Sequence, residues 1–158
     1  MKKKVFLRLR LTGTHGHMAK AKRIISEDLK IIDLVIEVID ARIPISSRNP
    51  DLNEIVKNKK KIIILNKSDI ADEKQTQKWK DKLTKDNVIA ISNNSLNNKK
   101  NNEIINTIEK MMKEETEKGL QKGRVGRTIR VMILGIPNVG KSSIINRLAN
   151  RNTQTVGN

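Results

Sequence analysis

The sequence contains no cysteine, which excludes disulfides, thiolate zinc sites and thiol nucleophiles together and matches the usage of a reducing compartment. Aromatic residues make up 1% of the chain, Phe6 and Trp79 alone, so any core must be built from Ile, Leu, Val and Met. No apolar run approaches the roughly 20 residues that a membrane-spanning helix needs. The opening Met1-Lys2-Lys3-Lys4-Val5-Phe6-Leu7 imitates the charged start of a signal peptide, but Arg8 and Arg10 interrupt the apolar stretch and no small-residue cleavage site follows. A cytoplasmic chain without membrane contact is therefore expected. Acidic residues are also scarce: 17 Asp and Glu face 33 Lys and Arg, a formal net charge of +16 over 158 residues. Such a balance attracts polyanions, nucleic acid first, through phosphate neutralisation and counterion release. Drift in an A/T-rich genome accounts for part of the lysine, since Asn and Ile are abundant too, but Glu would rise by the same drift and has not kept pace. The length is that of one domain with one real core, and a monomer is the default expectation.

What is present alternates between short aliphatic runs and longer amphipathic stretches, with no internal repeat. Strands are expected at Leu34 to Ile39, Lys61 to Leu65, Val88 to Ile91 and Ile129 to Leu134. Helices are expected from Ala19 to Lys30, from Pro50, from Asp72 to Asp86, from the Asn-rich loop after Asn93 to Lys118, and from Lys141 to Ala149. Strands that are continuous aliphatic runs are buried on both faces, and strands alternating with helices are crossover units. The expected fold is therefore α/β with a parallel sheet. Residues 1–15 remain an unassigned segment.

Two constellations carry chemistry. Gly135-Ile136-Pro137-Asn138-Val139-Gly140-Lys141-Ser142 has the phosphate-loop spacing of two glycines, then Lys and a hydroxyl residue, between a strand and a helix. Such a loop wraps a phosphate with its backbone N–H groups, and the glycines let the backbone approach without side-chain collision. The next helix presents its N-terminus, including Ser142 and Ser143, to the same anion. Lys141 would reach the β and γ phosphates, acting directly on the reacting group, and Ser142 would offer its hydroxyl to Mg²⁺. A chance match anywhere in a chain of this composition arises about once in two hundred. The bland counterpart is a glycine turn with a surface lysine.

Asn66-Lys67-Ser68-Asp69 follows the second aliphatic strand. The Asp69 carboxylate can accept from the ring N–H and the exocyclic amine of guanine, a donor pair adenine lacks. Asn66 would hold the base and tie this loop to the phosphate loop, while the stem of Lys67 lies along the ring. Alone the tetrapeptide is weak, arising by accident about one time in ten here. Its place at a strand's carboxyl end, where open α/β sheets bind ligands, strengthens it. Ser92 and Asn93, after the third strand, either supply a backbone N–H to the guanine carbonyl or form a plain turn.

The guanine-reading loop precedes the phosphate loop, the reverse of most GTP-binding domains. In this permuted order the chain resembles the circularly permuted GTPases, specifically the ribosome biogenesis GTPase A family. The resemblance rests on Gly16-His17-Met18-Ala19-Lys20-Ala21, Asp40-Ala41-Arg42-Ile43-Pro44, Ser46-Ser47-Arg48-Asn49-Pro50, Asn66 to Asp69, and Gly135 to Ser142 with Ile144-Ile145-Asn146-Arg147-Leu148. It implies a P-loop GTPase-type three-layer sandwich with a mostly parallel sheet, circularly permuted and incomplete, over residues 16–158. It further implies GTP and GDP as ligands, hydrolysis with Mg²⁺, and contact with the large ribosomal subunit and ribosomal RNA. Asn138 looks like the asparagine by which related GTPases bind K⁺; the alternative is a loop residue bonding its own backbone. His17 resembles a histidine proposed to assist hydrolysis, the alternative being a structural or exposed residue. Asp40 and Arg42 are expected to fix a turn.

The family's switch threonine, Asp-x-x-Gly loop and C-terminal helical domain have no counterpart by Asn158, so a fragment with slow hydrolysis is expected, its Ile129 to Leu134 strand an exposed edge. A basic RNA- or ribosome-binding module with a vestigial nucleotide site is the alternative from another class, and a general P-loop ATPase is disfavoured by Asn66 to Asp69.

Overall fold

The computed structural model describes residues 6–12, 18–94, 101–123, 128–149 and 153–155. His17, Ser95 and Gly126 lie outside them. Six strands form a single sheet: β1 (Phe6–Thr12), β2 (Leu34–Asp40), β3 (Lys60–Asn66), β4 (Val88–Asn93), β5 (Thr128–Leu134) and β6 (Thr153–Thr155), in the order β4-β3-β2-β5-β1-β6. Every neighbouring pair is parallel. The α/β parallel architecture is as expected from the aliphatic runs.

The expected open edge at β5 is not there. Residues 6–12, which the sequence analysis leaves unassigned, form β1 and pair with β5 in register from Phe6 opposite Thr128 to Thr12 opposite Leu134. The physical reason is visible in Phe-Leu-Arg-Leu-Arg-Leu-Thr. An arginine at every second position breaks an apolar run but leaves the period-two alternation of a strand. The sheet therefore continues past β5, and β5 lies between β2 and β1.

Among the described residues six helices accompany the strands: α1 (Met18–Asp28), α2 (Pro50–Ile55), α3 (Glu73–Leu83), α4 (Asn101–Met111), α5 (Lys113–Gln121) and α6 (Lys141–Ala149). Two faces of the sheet are covered, giving three layers. On one face Leu34, Ile36, Val38, Ile62, Ile64, Val131 and Ile133 pack with Ile104 and Ile108 of α4 and Ile144 and Leu148 of α6. On the other, Val35, Met132 and Leu134 meet Ile25 of α1 and Leu52 of α2, while Ile39, Ile63 and Leu65 meet Trp79 and Leu83 of α3. Alternate residues of one strand serve opposite layers, which is why β2 and β3 read as unbroken aliphatic runs.

Local signals set the helix ends. Asn49 accepts from the Asp51 N–H ahead of Pro50, and Asp72 accepts from the Gln75 N–H, so each begins a helix by satisfying an orphan donor. The stretch expected as one helix to Lys118 is interrupted at Met112, between α4 and α5, where the backbone takes φ −98° and ψ 8°. Its hydrogen-bond ladder survives, with Met112 N–H bonded to Ile108 O and Thr116 N–H to Met112 O. Thr107 and Thr116 also donate their hydroxyls to carbonyls four residues back.

Candidate functional site

Parallel strands bring their carboxyl ends to one edge, and the register makes that edge specific. Asp40 at the end of β2 stands opposite Asn66 at the end of β3, which stands opposite Asn93 at the end of β4. On the other flank Glu37 is opposite Leu134, so the phosphate loop leaves β5 beside the same row. Strand order reverses direction between β2 and β5, and the crevice outside such a switch point is where open α/β sheets hold ligands.

Gly135 to Gly140 cross from β5 to α6. Gly135 has no room for a side chain: a Cβ would stand 2.9 Å from Val38 O and 3.1 Å from Lys141 Cδ. Val139 is buried with Ile144 and Leu148 and anchors the loop to the core. Asn138 takes φ +68° and Gly140 φ +95°. Asparagine enters the left-handed region more readily than other side chains, so backbone shape alone favours it at 138. Lys141 is partly buried and its Nζ donates to Gly135 O at 2.6 Å. Burial pushes the Lys141 ammonium below its ordinary pKa. Ser142 and Ser143 are exposed in the first turn of α6.

The base-side loop meets this loop through side chains. Asn66 is fully buried. Its Nδ2 donates to Val139 O at 2.7 Å, and its Oδ1 accepts from Asn93 Nδ2 at 3.0 Å. One asparagine thus joins the ends of β3 and β4 to the phosphate loop. The fit is so close that a Cβ on Gly140 would collide with Asn66 Nδ2. Lys67 takes φ +60° and reaches across to donate from Nζ to Asn138 O at 2.8 Å. Asp69 is exposed on a 3-10 turn over Ser68–Ile70, and Ser92 is half-buried.

Two polar groups beside the site were not read as part of it. Asp40 is buried, its Oδ1 accepting from the Arg42 N–H and its Oδ2 from Arg42 Nη2 at 2.7 Å. The Arg42 guanidinium holds the Asp40 carboxyl below the usual carboxylate range. Ser47 closes the turn, accepting from the Asp40 N–H at 2.8 Å and donating to Ile43 O at 2.8 Å. Below Gly135, Glu37 is clamped by Arg48 through Nε to Oε2 at 2.8 Å and Nη2 to Oε1 at 2.9 Å, with Lys61 Nζ 3.4 Å from Oε1. Burial pushes Lys61 below its ordinary pKa, with Glu37 opposing the shift. The sequence signals were an acid inside the aliphatic run of β2 and the second of two lysines opening β3, both facing the same layer.

A phosphate loop opening onto a helix, joined through a buried asparagine to an Asn-Lys-x-Asp loop that comes earlier in the chain, defines a P-loop GTPase-type fold in circularly permuted order. Residues 130–158 match the family described as 50S ribosome-binding GTPase. Ribosome biogenesis GTPase A of Bacillus licheniformis is 49% identical over 142 residues, covering 90% of this chain and 50% of that protein. Two solved structures of YlqF, the first from T. maritima, resemble it in three dimensions. The GNP-bound form has a TM-score of 0.57 at 35% identity, covering 81% of this chain and 47% of that one, and the GDP-bound form 0.58 at 33%, covering 82% and 48%. Over 90% of its length the chain is homologous to proteins of the ribosome biogenesis GTPase A family. It spans about half the length of the relatives it matches. Among the described residues, no helix is long and apolar enough to cross a membrane.

Proposed function

We propose that this chain holds a guanine nucleotide across the carboxyl edge of its sheet and serves GTP hydrolysis in ribosome assembly. The supporting observation is the Asn66 bridge, which ties the phosphate loop to the two base-side loops. In this reading Asp69 accepts from the guanine donors, Lys67 lies along the ring, and Ser92 and Asn93 offer a backbone N–H to the guanine carbonyl. Gly135, Asn138, Val139 and Gly140 wrap the phosphates with N–H groups, aided by the N-terminus of α6 at Ser143. Lys141 neutralises the β and γ oxygens, and an arriving phosphate restores the charge that burial disfavours.

Among the described residues no three His, Asp or Glu converge as a metal site. Mg²⁺ commonly takes only one or two protein oxygens plus phosphate oxygens, and the exposed Ser142 hydroxyl at the helix start fits that donor set. Bound there, Mg²⁺ would offset the charge of the phosphates. Asn138 is proposed for K⁺ beside the phosphates, and His17 as an assistant to hydrolysis. The excess of basic residues suits ribosomal RNA, with the large ribosomal subunit as the partner and the cytoplasm as the compartment.

Nucleotide exchange of specificity tests the reading. Asp69→Asn turns one acceptor into a donor and is expected to weaken GTP while improving xanthosine triphosphate, measured by calorimetric titration of both. Unchanged preference in the variant contradicts the guanine assignment.

A further inference from the structure

The turn after β2 has a feature that turn formation alone does not require. Arg42 grips Asp40 through both oxygens, and one of the two also reaches beyond the turn. Oδ1 accepts from the Arg42 N–H, the local bond by which an aspartate closes a turn two residues on, and from Arg42 Nε at 3.0 Å. Oδ2 faces outward from that turn, towards Arg42 Nη2 at 2.7 Å and towards Lys67 Nζ at 3.7 Å. The same Lys67 ammonium donates to Asn138 O at 2.8 Å. It is thus suspended between a carboxylate on one loop and a phosphate-loop carbonyl on another. The backbone supports this arrangement, because Ala41 N–H donates to Asn66 O at 2.8 Å and welds the turn to the base-side loop. The Asp40 side chain is 7% exposed and that of Lys67 28%, so their attraction is less screened than that of a surface pair. Lys67 itself sits in the left-handed region, where a lysine stays only if its surroundings hold it.

We infer that Asp40 is a positioning residue of the nucleotide site: through Oδ2 it fixes the Lys67 ammonium against Asn138 O, so that the lysine stem is already in place along the base. The inference rests on the guanine-nucleotide reading of the site. It assigns the Asp40 carboxylate, rather than the rest of the turn to Ser47, a part in ligand binding. Its direction is supported by the lowered pKa of Asp40.

Calorimetric titration of GDP into the whole chain and its variants is the test. Asp40→Asn keeps the Oδ1 acceptor of the turn, removes the charge and turns the acceptor facing Lys67 into a donor, and is expected to weaken GDP about tenfold, equivalent to about 1.4 kcal/mol. Lys67→Met is expected to weaken GDP by at least as much, and the double variant no more than Lys67→Met alone, because the first residue acts through the second. Asp40→Glu restores the charge and recovers most of the loss. Arg42→Gln, on the exposed side of the same carboxylate, lowers the melting temperature but keeps GDP affinity within about twofold. Additive losses in the double variant, full affinity in Asp40→Asn, or an equal loss in Arg42→Gln would each overturn the positioning role, the last by assigning the effect to the turn itself. Failure of the unchanged chain to bind GDP overturns the nucleotide reading, and this inference with it.

Discussion

The two sides of the proposed site are made of different material. On the base side, position is set by side chains that hold one another: Asn93 to Asn66, Asn66 to Val139 O, Lys67 to Asn138 O, Asp40 to Lys67. On the phosphate side it is set by backbone shape: a crowded Gly135, a left-handed Asn138 and a left-handed Gly140. A planar base is read by a few directed donors and acceptors, whereas a phosphate is wrapped by a concave run of N–H groups. The two sides should therefore fail differently, the base side when a functional group is removed and the phosphate side when a methyl group is added.

The harshest way to break this contrast is at the point where the sides touch. Gly140→Ala places a Cβ against Asn66 Nδ2 at a φ of +95°, so it strikes both sides together. Loss of measurable GDP binding and a destabilisation of about 2–3 kcal/mol in urea unfolding are expected. Asn66→Ala attacks only the side-chain network, and leaves Val139 O and Asn93 Nδ2 buried without their partner. About 2–3 kcal/mol of stability is expected to go, read by the same unfolding curve. Lys141→Met should show the opposite profile: apo stability changes by less than about 1 kcal/mol, while GTP affinity in titration falls far more than that of Asn66-independent surface variants.

Acid sharpens the base side alone. The Asp40 pKa is depressed in the folded chain, so its contribution is fully present above the unfolded value of about 3.9 and disappears as pH falls through the lower folded value. The melting temperature of the unchanged chain should exceed that of Asp40→Asn by a constant margin from about pH 5 to 7, shrinking below about pH 4. At the far end of the scale, Glu54→Gln removes the exposed partner of Lys57 and should move stability by less than about 0.5 kcal/mol.

Much of this was legible in the chain and some was not, for identifiable reasons. β2 and β3 were readable because burial on both faces demands unbroken aliphatic residues, and Asn66 was readable because its tetrapeptide ends one of those runs. β1 was not, because Arg8 and Arg10 break an apolar run while preserving strand alternation, and its pairing with β5 joins residues more than a hundred positions apart. The break at Met112 was not, because it is a backbone departure to φ −98°, ψ 8° beneath an uninterrupted apolar periodicity. The contacts of Asp40 with Lys67 and of Glu37 with Arg48 and Lys61 depend on strand register and on where the Ile43 to Ser47 turn folds back. Neither is encoded by local spacing. Motif residues were thus visible as chemistry, while the side chains that hold them were visible only once the strands were aligned.

In the proposed reading, the edge at Asp40, Asn66 and Asn93 holds the base-side loop so that Asp69 selects guanine. Calorimetric titration of the unchanged chain with GDP and with ADP tests it most directly, since the two ligands share every phosphate and differ only in the base. Affinity for GDP about a hundredfold or more above that for ADP is the predicted result, as expected of a site whose polar groups are left unpaired by the wrong base. Equal affinities would contradict it.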